Sequence, residues 1–215
     1  MPAKEQWRDS IRPRIETARG TLRERDLDDL VRSSGATYDK GSLVLSLFAT
    51  PLRISVPEFE VQSAEEVPCR EKTQILVLDY LTRASTAAPR DATTPATSNR
   101  WIGFQELPDG AFYAKAFRSY TSDVLLSALD GDIDRFRHTC ACFAGETFQF
   151  GDAAAEFRAL PNIRLAVVWW AGDDEFPATA NVLFDSVASY ALPIDGLAVL
   201  GRLLCRGLVS ADTDK

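Results

Sequence analysis

Apolar residues near the beginning of the chain recur with the period of an α-helix. Trp7, Ile11 and Ile15 follow one another at intervals of four residues, with charged residues between them. A second helical stretch ends at Gly35, and glycine is the usual residue just past a helix C-terminus. The pattern therefore predicts a helical preface over residues 1–35.

The apolar pattern then changes several times between the period of a strand and that of a helix. Runs rich in β-branched and aromatic residues predict strands, and apolar positions three or four residues apart predict helices. The predicted strands cover residues 42–49, 52–57, 102–107, 111–117, 165–170 and 181–184, and residues 148–160 are extended or irregular. The predicted helices cover residues 71–83, 119–129, 133–143 and 194–208. This order of elements predicts an α+β fold with a largely antiparallel sheet packed with helices.

Residues 84–99 interrupt this alternation. They contain Ala, Thr, Ser and Pro but no large apolar residue, so they bury too little surface to offset the entropy of ordering. We predict a flexible loop or linker at 84–99 within a single domain that spans residues 1–215.

Composition and charge exclude several classes of protein. Hydrophobic residues make up 46% of the chain and charged residues 26%, which excludes disorder over the whole length. The net charge of -7 argues against nucleic-acid binding, because binding to phosphates requires a basic face. The longest apolar run, residues 165–171, is too short for a membrane helix, and the charged N-terminus lacks the apolar stretch of a secretory signal. We therefore expect a cytoplasmic protein without a membrane span.

The chain contains one histidine, and it lies close to two of the four cysteines. In a helix, His138 and Cys142 are one turn apart on the same face and can both reach one metal ion, while Cys140 points elsewhere. The alternative is that the cysteines are small buried apolar residues and that His138 lies on the surface. The sequence leaves both interpretations open.

Aromatic residues in the second half of the chain fit the core better than a stacking surface. The residues interpreted in this way are Trp101, Phe104, Trp169 and Trp170.

Acidic residues follow two of the predicted strands. Asp173, Asp174 and Glu175 come after the strand at 165–170, and Asp185 comes after the strand at 181–184. Carboxylates at strand ends can hold a cation or act as bases. The sequence equally fits turn residues on a solvated loop for the first group and a structural cap or salt bridge for Asp185.

Cationic and phenolic side chains offer a second kind of site. Arg118, Tyr120 and Arg158 supply donors that suit a carboxylate or a phosphate. They are alternatively structural partners of nearby carboxylates. The carboxylates considered for that role are Asp152, Glu156 and Asp185.

Residues 151–204 carry the most specific motifs of the chain. Glu175-Phe176-Pro177 forms an acidic Phe-Pro loop, Phe184-Asp185 ends a strand, and Leu192-Pro193 leads into the last helix. These features resemble the bacterial and archaeal family called domain of unknown function 3786. Residues 103–120 and the apolar run from Ile75 fit the same family, so the resemblance covers roughly residues 41–208. Some members join this domain to a cysteine-rich iron–sulfur segment and occur in anaerobes with corrinoid and one-carbon chemistry, and this chain has no such segment.

The resemblance implies a cytosolic accessory protein that binds a small cofactor or metallocofactor, such as a tetrapyrrole of the corrinoid or haem type. In that hypothesis Arg118, Tyr120 and Arg158 anchor acidic groups, and His138 is the imidazole that is available as an axial ligand.

Two alternatives from other classes remain open. One is an enzyme that acts on a small anionic substrate, with Glu175 or Asp185 as the base and Tyr120 as the acid. The other is an interaction module without a ligand, a homodimer formed through the first or the last helix.

Overall fold

The computed structural model describes residues 3–86, 98 and 100–213, without the side chains of residues 3–10, 85, 86 and 213. The chain separates into two compact units. Unit 1 comprises the described residues of Met1–Thr94 together with Leu160–Asn162 and Tyr190–Pro193. Unit 2 comprises the described residues of Pro95–Ala159, Ile163–Ser189 and Ile194–Lys215. The prediction of a single domain is not tested by this division and stays a prediction.

Unit 1 combines helices with a four-stranded antiparallel sheet. Its helices are α1 (Ala3–Arg23), α2 (Leu27–Ser34) and α3 (Glu71–Thr86), and its strands are β1 (Thr37–Asp39), β2 (Ser42–Leu47), β3 (Thr50–Ser55) and β4 (Val61–Ser63). The strands lie in the order β1-β2-β3-β4. Alternation along β2 buries Leu43 and Leu45, whose register partners on β3 are Ile54 and Leu52. This alternation gives the sheet one apolar face.

The predicted helical preface is confirmed. Asp26 begins α2, because its carboxylate accepts a hydrogen bond from the backbone N–H of Asp29 at 2.9 Å. Gly35 ends α2 with φ of 68°, a left-handed conformation that glycine adopts without cost. A Cβ at this position would also lie 2.8 Å from the side chain of Pro161, so both conformation and space favour glycine.

Tyr80 of α3 joins three segments of unit 1. Its buried hydroxyl donates a hydrogen bond to the carbonyl of Ser34 and accepts one from the backbone N–H of Asn162 at 3.2 Å. The amide side chain of Asn162 donates to the carbonyl of Ser33 at 2.8 Å. Tyr80 therefore satisfies polar backbone groups where α2 ends.

Unit 2 is built on a five-stranded antiparallel sheet. Its strands are β5 (Trp101–Gly103), β6 (Glu146–Thr147), β7 (Ala153–Leu160), β8 (Ile163–Trp170) and β9 (Thr179–Asp185), in the order β5-β9-β8-β7-β6. Its helices are α4 (Ala114–Ser119), α5 (Ser122–Ala128), α6 (Ile133–Cys142) and α8 (Ile194–Thr213), and the short α7 (Ala188–Ala191) begins in unit 2 and ends among the residues assigned to unit 1. The central strand β8 is buried from Leu165 to Trp169, and the ring of Trp169 stacks on Phe136 of α6 at 4.9 Å. The α+β prediction with antiparallel pairing is confirmed.

The strands predicted at 102–107 and 111–117 are wrong beyond Gly103. The chain instead forms 3₁₀ turns at Phe104–Glu106 and Gly110–Tyr113 and then enters α4. The N–H of Leu107 donates to the carbonyl of Phe104 at 3.2 Å, and the N–H of Gly110 donates to that of Leu107 at 2.9 Å. These local bonds satisfy the backbone without a strand partner. Phe104, Leu107 and Phe117 are buried, whereas Phe112 and Tyr113 are exposed.

Two further boundaries differ from the sequence-based expectation. The helix predicted at 119–129 is α5 alone, since Tyr120 and Thr121 separate it from α4. The segment predicted to be extended or irregular at 148–160 contains the long strand β7.

The linker predicted at 84–99 falls largely on residues 87–97 and 99, which lie outside the described residues. At its beginning, α3 continues to Thr86. Among the described residues, none of the helices has both the length and the apolar character of a membrane span.

Replacement of Tyr80 by phenylalanine tests the role of its hydroxyl. Tyr80→Phe leaves the Ser34 carbonyl and the Asn162 N–H without their buried partner, which should cost about 1–3 kcal/mol of unfolding free energy. Urea denaturation measures this loss. Tyr113→Phe is the matched control, because Tyr113 is exposed and should change stability by less than about 0.5 kcal/mol. Equal stability of the two variants would contradict the role given to Tyr80.

Candidate functional site

The described part of unit 2 contains a buried ion pair between its two central strands. Asp185, at the end of β9, is 1% exposed, and Arg164 lies opposite it on β8. Nη2 of Arg164 donates to Oδ2 of Asp185 at 3.0 Å. A buried carboxylate requires such a partner, because an unpaired charge in the interior costs several kcal/mol.

The remaining lone pairs of Asp185 are also used. Oδ2 accepts the backbone N–H of Ser98 at 2.8 Å, and Oδ1 accepts the Ser98 hydroxyl at 2.7 Å. The N–H of Val187 donates to Oδ1 at 3.2 Å. Of the interpretations left open for Asp185, this arrangement supports the structural one, and its ion-pair partner is Arg164 instead of Arg158.

Arg164 is held from several sides. Its Nη1 donates to Glu156 of β7 at 3.2 Å, and its Nη2 also contacts the carbonyl of Ser98. The guanidinium lies 5.3 Å from the ring centre of Trp101, a cation–π distance. Its Nε is buried and finds no hydrogen-bond partner within the part of the chain that the structure describes. The guanidinium is therefore fixed before any ligand arrives.

A cleft of about 600 Å³ opens beside this arginine. Its described lining consists of Arg100, Trp101, Phe148, Gln149, Phe150, Glu156 and Arg164. Three of these residues form a row of aromatic rings. Trp101 stacks on Phe148 with centroids 5.8 Å apart and planes inclined by 27°, and Phe150 follows at 6.3 Å from Phe148. The row presents an apolar wall to the cleft.

Arg100 contributes a cation at the cleft. It is exposed, and among residues 3–86, 98 and 100–213 no side chain pairs with its guanidinium. Arg164, in contrast, is already neutralised by Asp185 and Glu156. A flat ring that stacks on the aromatic wall and carries an acidic group can therefore direct that group towards Arg100.

The side chains predicted to anchor a cofactor lie elsewhere. Arg118 pairs with Asp123 at 3.0 Å in an exposed ion pair. Tyr120 packs edge-on against Phe117 and beneath Arg202, and burial raises its pKa. Arg158 is exposed on β7. None of the predicted anchors is among the described residues that line the cleft. Their role in ligand binding stays a prediction.

The acidic loop after β8 has the geometry of a turn. Oδ1 of Asp173 accepts the N–H groups of Glu175 at 2.9 Å and Phe176 at 2.7 Å. The backbone N–H of Phe176, followed by that of Glu175, lowers the pKa of Asp173. Glu175 itself is exposed. No hydrogen bond or ion pair between described side chains joins Glu175 to Tyr120 or Asp185.

The helical geometry expected for α6 is confirmed, and metal binding by its side chains stays a prediction. Of the alternative, Cys140 is buried and His138 lies on the surface, but Cys142 is exposed. His138 and Cys142 are both exposed, and Nε2 of His138 lies 3.6 Å from Sγ of Cys142. Cys140 points into the core, where burial raises the pKa of its thiol to about 12. His138 is not among the described residues that line the cleft.

The cleft differs in part from the sequence-based prediction. Phe104 and Trp169 are buried as expected, but Trp101 lines the cleft. Arg100 directly precedes Trp101, and alternation along residues 148–150 places Phe148 and Phe150 on one side. An arginine next to a tryptophan is a signal for such a cleft in the sequence. Only the pairing of β5 with β9 brings Trp101 close to Arg164.

Substitution of Asp185 should mainly affect stability. Asp185→Ala leaves a largely buried arginine, with a side chain 14% exposed, without its principal partner and should cost about 3 kcal/mol of unfolding free energy. Arg164→Ala together with Asp185→Ala should cost less than the sum of the two single changes, since the residues interact directly. Thermal and urea unfolding measure these values. Asp123→Ala, which removes an exposed pair, is the control and should cost at most about 1 kcal/mol. Strict additivity would contradict the pairing.

The cysteines should differ in reactivity. Cys142 is exposed, whereas burial raises the pKa values of Cys140 and Cys205 to about 12. A thiol reagent at neutral pH should therefore label Cys142 in the folded protein and reach Cys140 and Cys205 only on unfolding. Peptide mass spectrometry identifies the labelled positions, and rapid labelling of Cys140 in the native protein would refute this order.

Comparison with known proteins places the chain in one family. No curated protein and no solved structure matches it. The family model described as domain of unknown function (DUF3786) matches residues 26–207, which is most of the chain. The resemblance seen in the acidic Phe-Pro loop and the last helix is thereby confirmed, and the chain belongs to the DUF3786 family.

Proposed function

We propose that the protein is a cytoplasmic accessory protein that binds a flat, anionic ring compound in the cleft between Arg100 and Arg164. A tetrapyrrole with carboxylate substituents is the leading member of that ligand class. The observation that carries the proposal is the row of aromatic rings beside a guanidinium without a described partner.

The aromatic wall supplies the surface for a ring. Trp101 and Phe148 stack nearly parallel, and Phe150 extends the row. Trp101 and Phe148 cover part of each other and Arg164 lies over Trp101, so a flat apolar ligand packs on the parts of the rings that stay open, which include the exposed Phe150. Such packing removes both surfaces from water. The cleft volume of about 600 Å³ lies within the usual range of small-molecule sites.

Arg100 is the group at the cleft that suits an acidic substituent. Arg164 is engaged by two carboxylates, Glu156 and Asp185, so Arg100 is the cation of the described lining that is left to meet a ligand. A guanidinium binds a carboxylate through paired N–H donors. The position of Arg100 beside the aromatic wall thus matches a ligand in which an acidic group is attached to a ring.

Rigidity of the cleft supports binding without a large reorganisation. Arg164 is held by two carboxylates and by the carbonyl of Ser98, and it in turn lies over Trp101. The ring of Trp101 is therefore oriented before the ligand binds. Preorganisation of this kind lowers the entropy lost on association.

The described lining fits the ring better than it fits a bound metal. It contains no imidazole, thiolate or thioether, the usual axial ligands of a tetrapyrrole iron or cobalt. His138, which the sequence offered as an axial ligand, lies on the exposed face of α6. Our proposal therefore rests on stacking and on Arg100, without a metal–ligand bond from these side chains.

The enzyme alternative remains a prediction. It requires Tyr120 and a carboxylate at one substrate, and the described contacts of Tyr120 are with Phe117 and Arg202. No specific observation favours it over binding in the cleft.

Titration with a water-soluble carboxylated porphyrin tests the proposed function. The Kd of Arg100→Ala should be about tenfold higher than that of the wild type, because a hydrogen bond to a charged group is worth about 1.5 kcal/mol. Phe148→Ala should weaken binding by a similar factor through the loss of stacking. The absorbance of the porphyrin measures binding, and unfolding curves verify that both variants are folded.

Two controls separate specific binding from adsorption to the surface. Phe112→Ala removes an aromatic side chain that is 89% exposed and not part of the described lining, so the Kd should not change. A porphyrin with the same ring but cationic substituents should lose no affinity on Arg100→Ala, because Arg100 repels a cationic group. If Phe112→Ala weakens binding as much as Phe148→Ala, or if the wild type does not bind the carboxylated porphyrin, the proposed function is wrong.

A further inference from the structure

The exposed face of α6 carries a pair of metal-ligating side chains outside the cleft. His138 and Cys142 are separated by one helical turn, and their Nε2 and Sγ atoms lie 3.6 Å apart. Both side chains are open to solvent. Imidazole nitrogen and thiolate sulfur are the two ligand types from which structural zinc sites are most often built.

The distance between the two atoms is the one that zinc requires. Bonds of about 2.3 Å to sulfur and about 2.0–2.1 Å to nitrogen, at a tetrahedral angle, place the two ligand atoms about 3.6 Å apart. The side chains of His138 and Cys142 already have this separation. An ion can therefore replace the thiol proton with the two ligand atoms at their present separation.

The described part of the chain provides only half of a tetrahedral site. Within the described residues, no group of three or more His, Cys, Asp or Glu side chains could hold a metal ion. Asp134, one turn before His138, pairs with Arg137 at 2.9 Å instead. A closed structural zinc site has four protein ligands, so a second pair must come from outside this part of the chain.

We propose that His138 and Cys142 bind zinc between two copies of this chain. A twofold axis through the ion brings the same pair from the second copy and completes a site of two cysteines and two histidines. The bridge belongs to α6 and does not depend on the proposed function of the cleft.

The surface around the pair suits a contact between two α6 helices. Ala141 is exposed next to Cys142, and its small side chain allows a second helix to approach closely. Asp134 and Arg137 form an ion pair on this surface, so the charges of these two residues cancel. A second copy therefore meets no excess of like charge from this pair.

Zinc titration of the full chain in a reducing buffer tests the bridge. Light scattering should show the mass doubling at a ratio of one zinc ion to two chains, and a chelator should reverse the change. Cobalt in place of zinc should give the absorption bands of a tetrahedral ion and a thiolate charge-transfer band. Metal binding without a doubling of mass, or no binding of stoichiometric metal, would overturn the proposal.

Variants identify the ligands. His138→Ala and Cys142→Ser should each abolish the cobalt charge-transfer band or reduce it strongly and leave the protein monomeric at equal zinc concentration. Since both side chains are exposed, the unfolding midpoint without metal should stay close to that of the wild type. Cys69→Ser, a half-buried cysteine of unit 1, is the matched control and should keep both metal binding and dimerisation.

Two results would show that another contact is responsible. If the mass is already doubled without zinc in the reducing buffer, another contact forms the dimer and the zinc bridge would be wrong. A zinc-dependent dimer that survives His138→Ala would also exclude this site. Porphyrin binding, measured in the same variants, should be unchanged.

Discussion

The ion pair between Arg164 and Asp185 joins β8 and β9 within the sheet of unit 2, and the candidate cleft is built beside it. Asp185 is buried at the end of β9, where an unpaired carboxylate would be costly, and Arg164 lies opposite it on β8. Ser98 supplies a backbone N–H and a hydroxyl to the same carboxylate. Asp185 thereby holds Ser98, which lies just before β5, against the sheet that β5 joins.

The cleft follows from this arrangement. Arg164 reaches from Asp185 to Glu156 and lies over the ring of Trp101, so the ion pair orients the first ring of the aromatic wall. Asp185, one of the two carboxylates considered as a base, therefore belongs to the scaffold of the sheet. The residues left to meet a ligand are its neighbours, Arg100 above all, which has no described side-chain partner.

Unit 2 presents two different kinds of chemistry on its described surface. The cleft combines aromatic rings with one arginine, and α6 combines an imidazole with a thiol. Both depend on rigid elements, since β5 is paired along β9 and α6 is anchored by the stacking of Phe136 on Trp169. Their ligands differ in charge and size, so the two proposed roles can be tested independently.

The sequence by itself determined the class of the fold and the local geometry of α6. Helical spacing placed His138 and Cys142 on one face and Cys140 on another, because the period of a helix is a local property. Apolar runs located β2, β3 and β8 for the same reason. The sequence also indicated the family. Only the tertiary structure decided that Asp185 pairs with Arg164 and that Trp101 lines a cleft, because the partners are far apart in the chain and the pairing of β5, β9 and β8 brings them together. The turns at 104–113 have the apolar pattern of strands in the sequence, but local hydrogen bonds satisfy the backbone, with Phe104 and Leu107 buried and Phe112 and Tyr113 exposed.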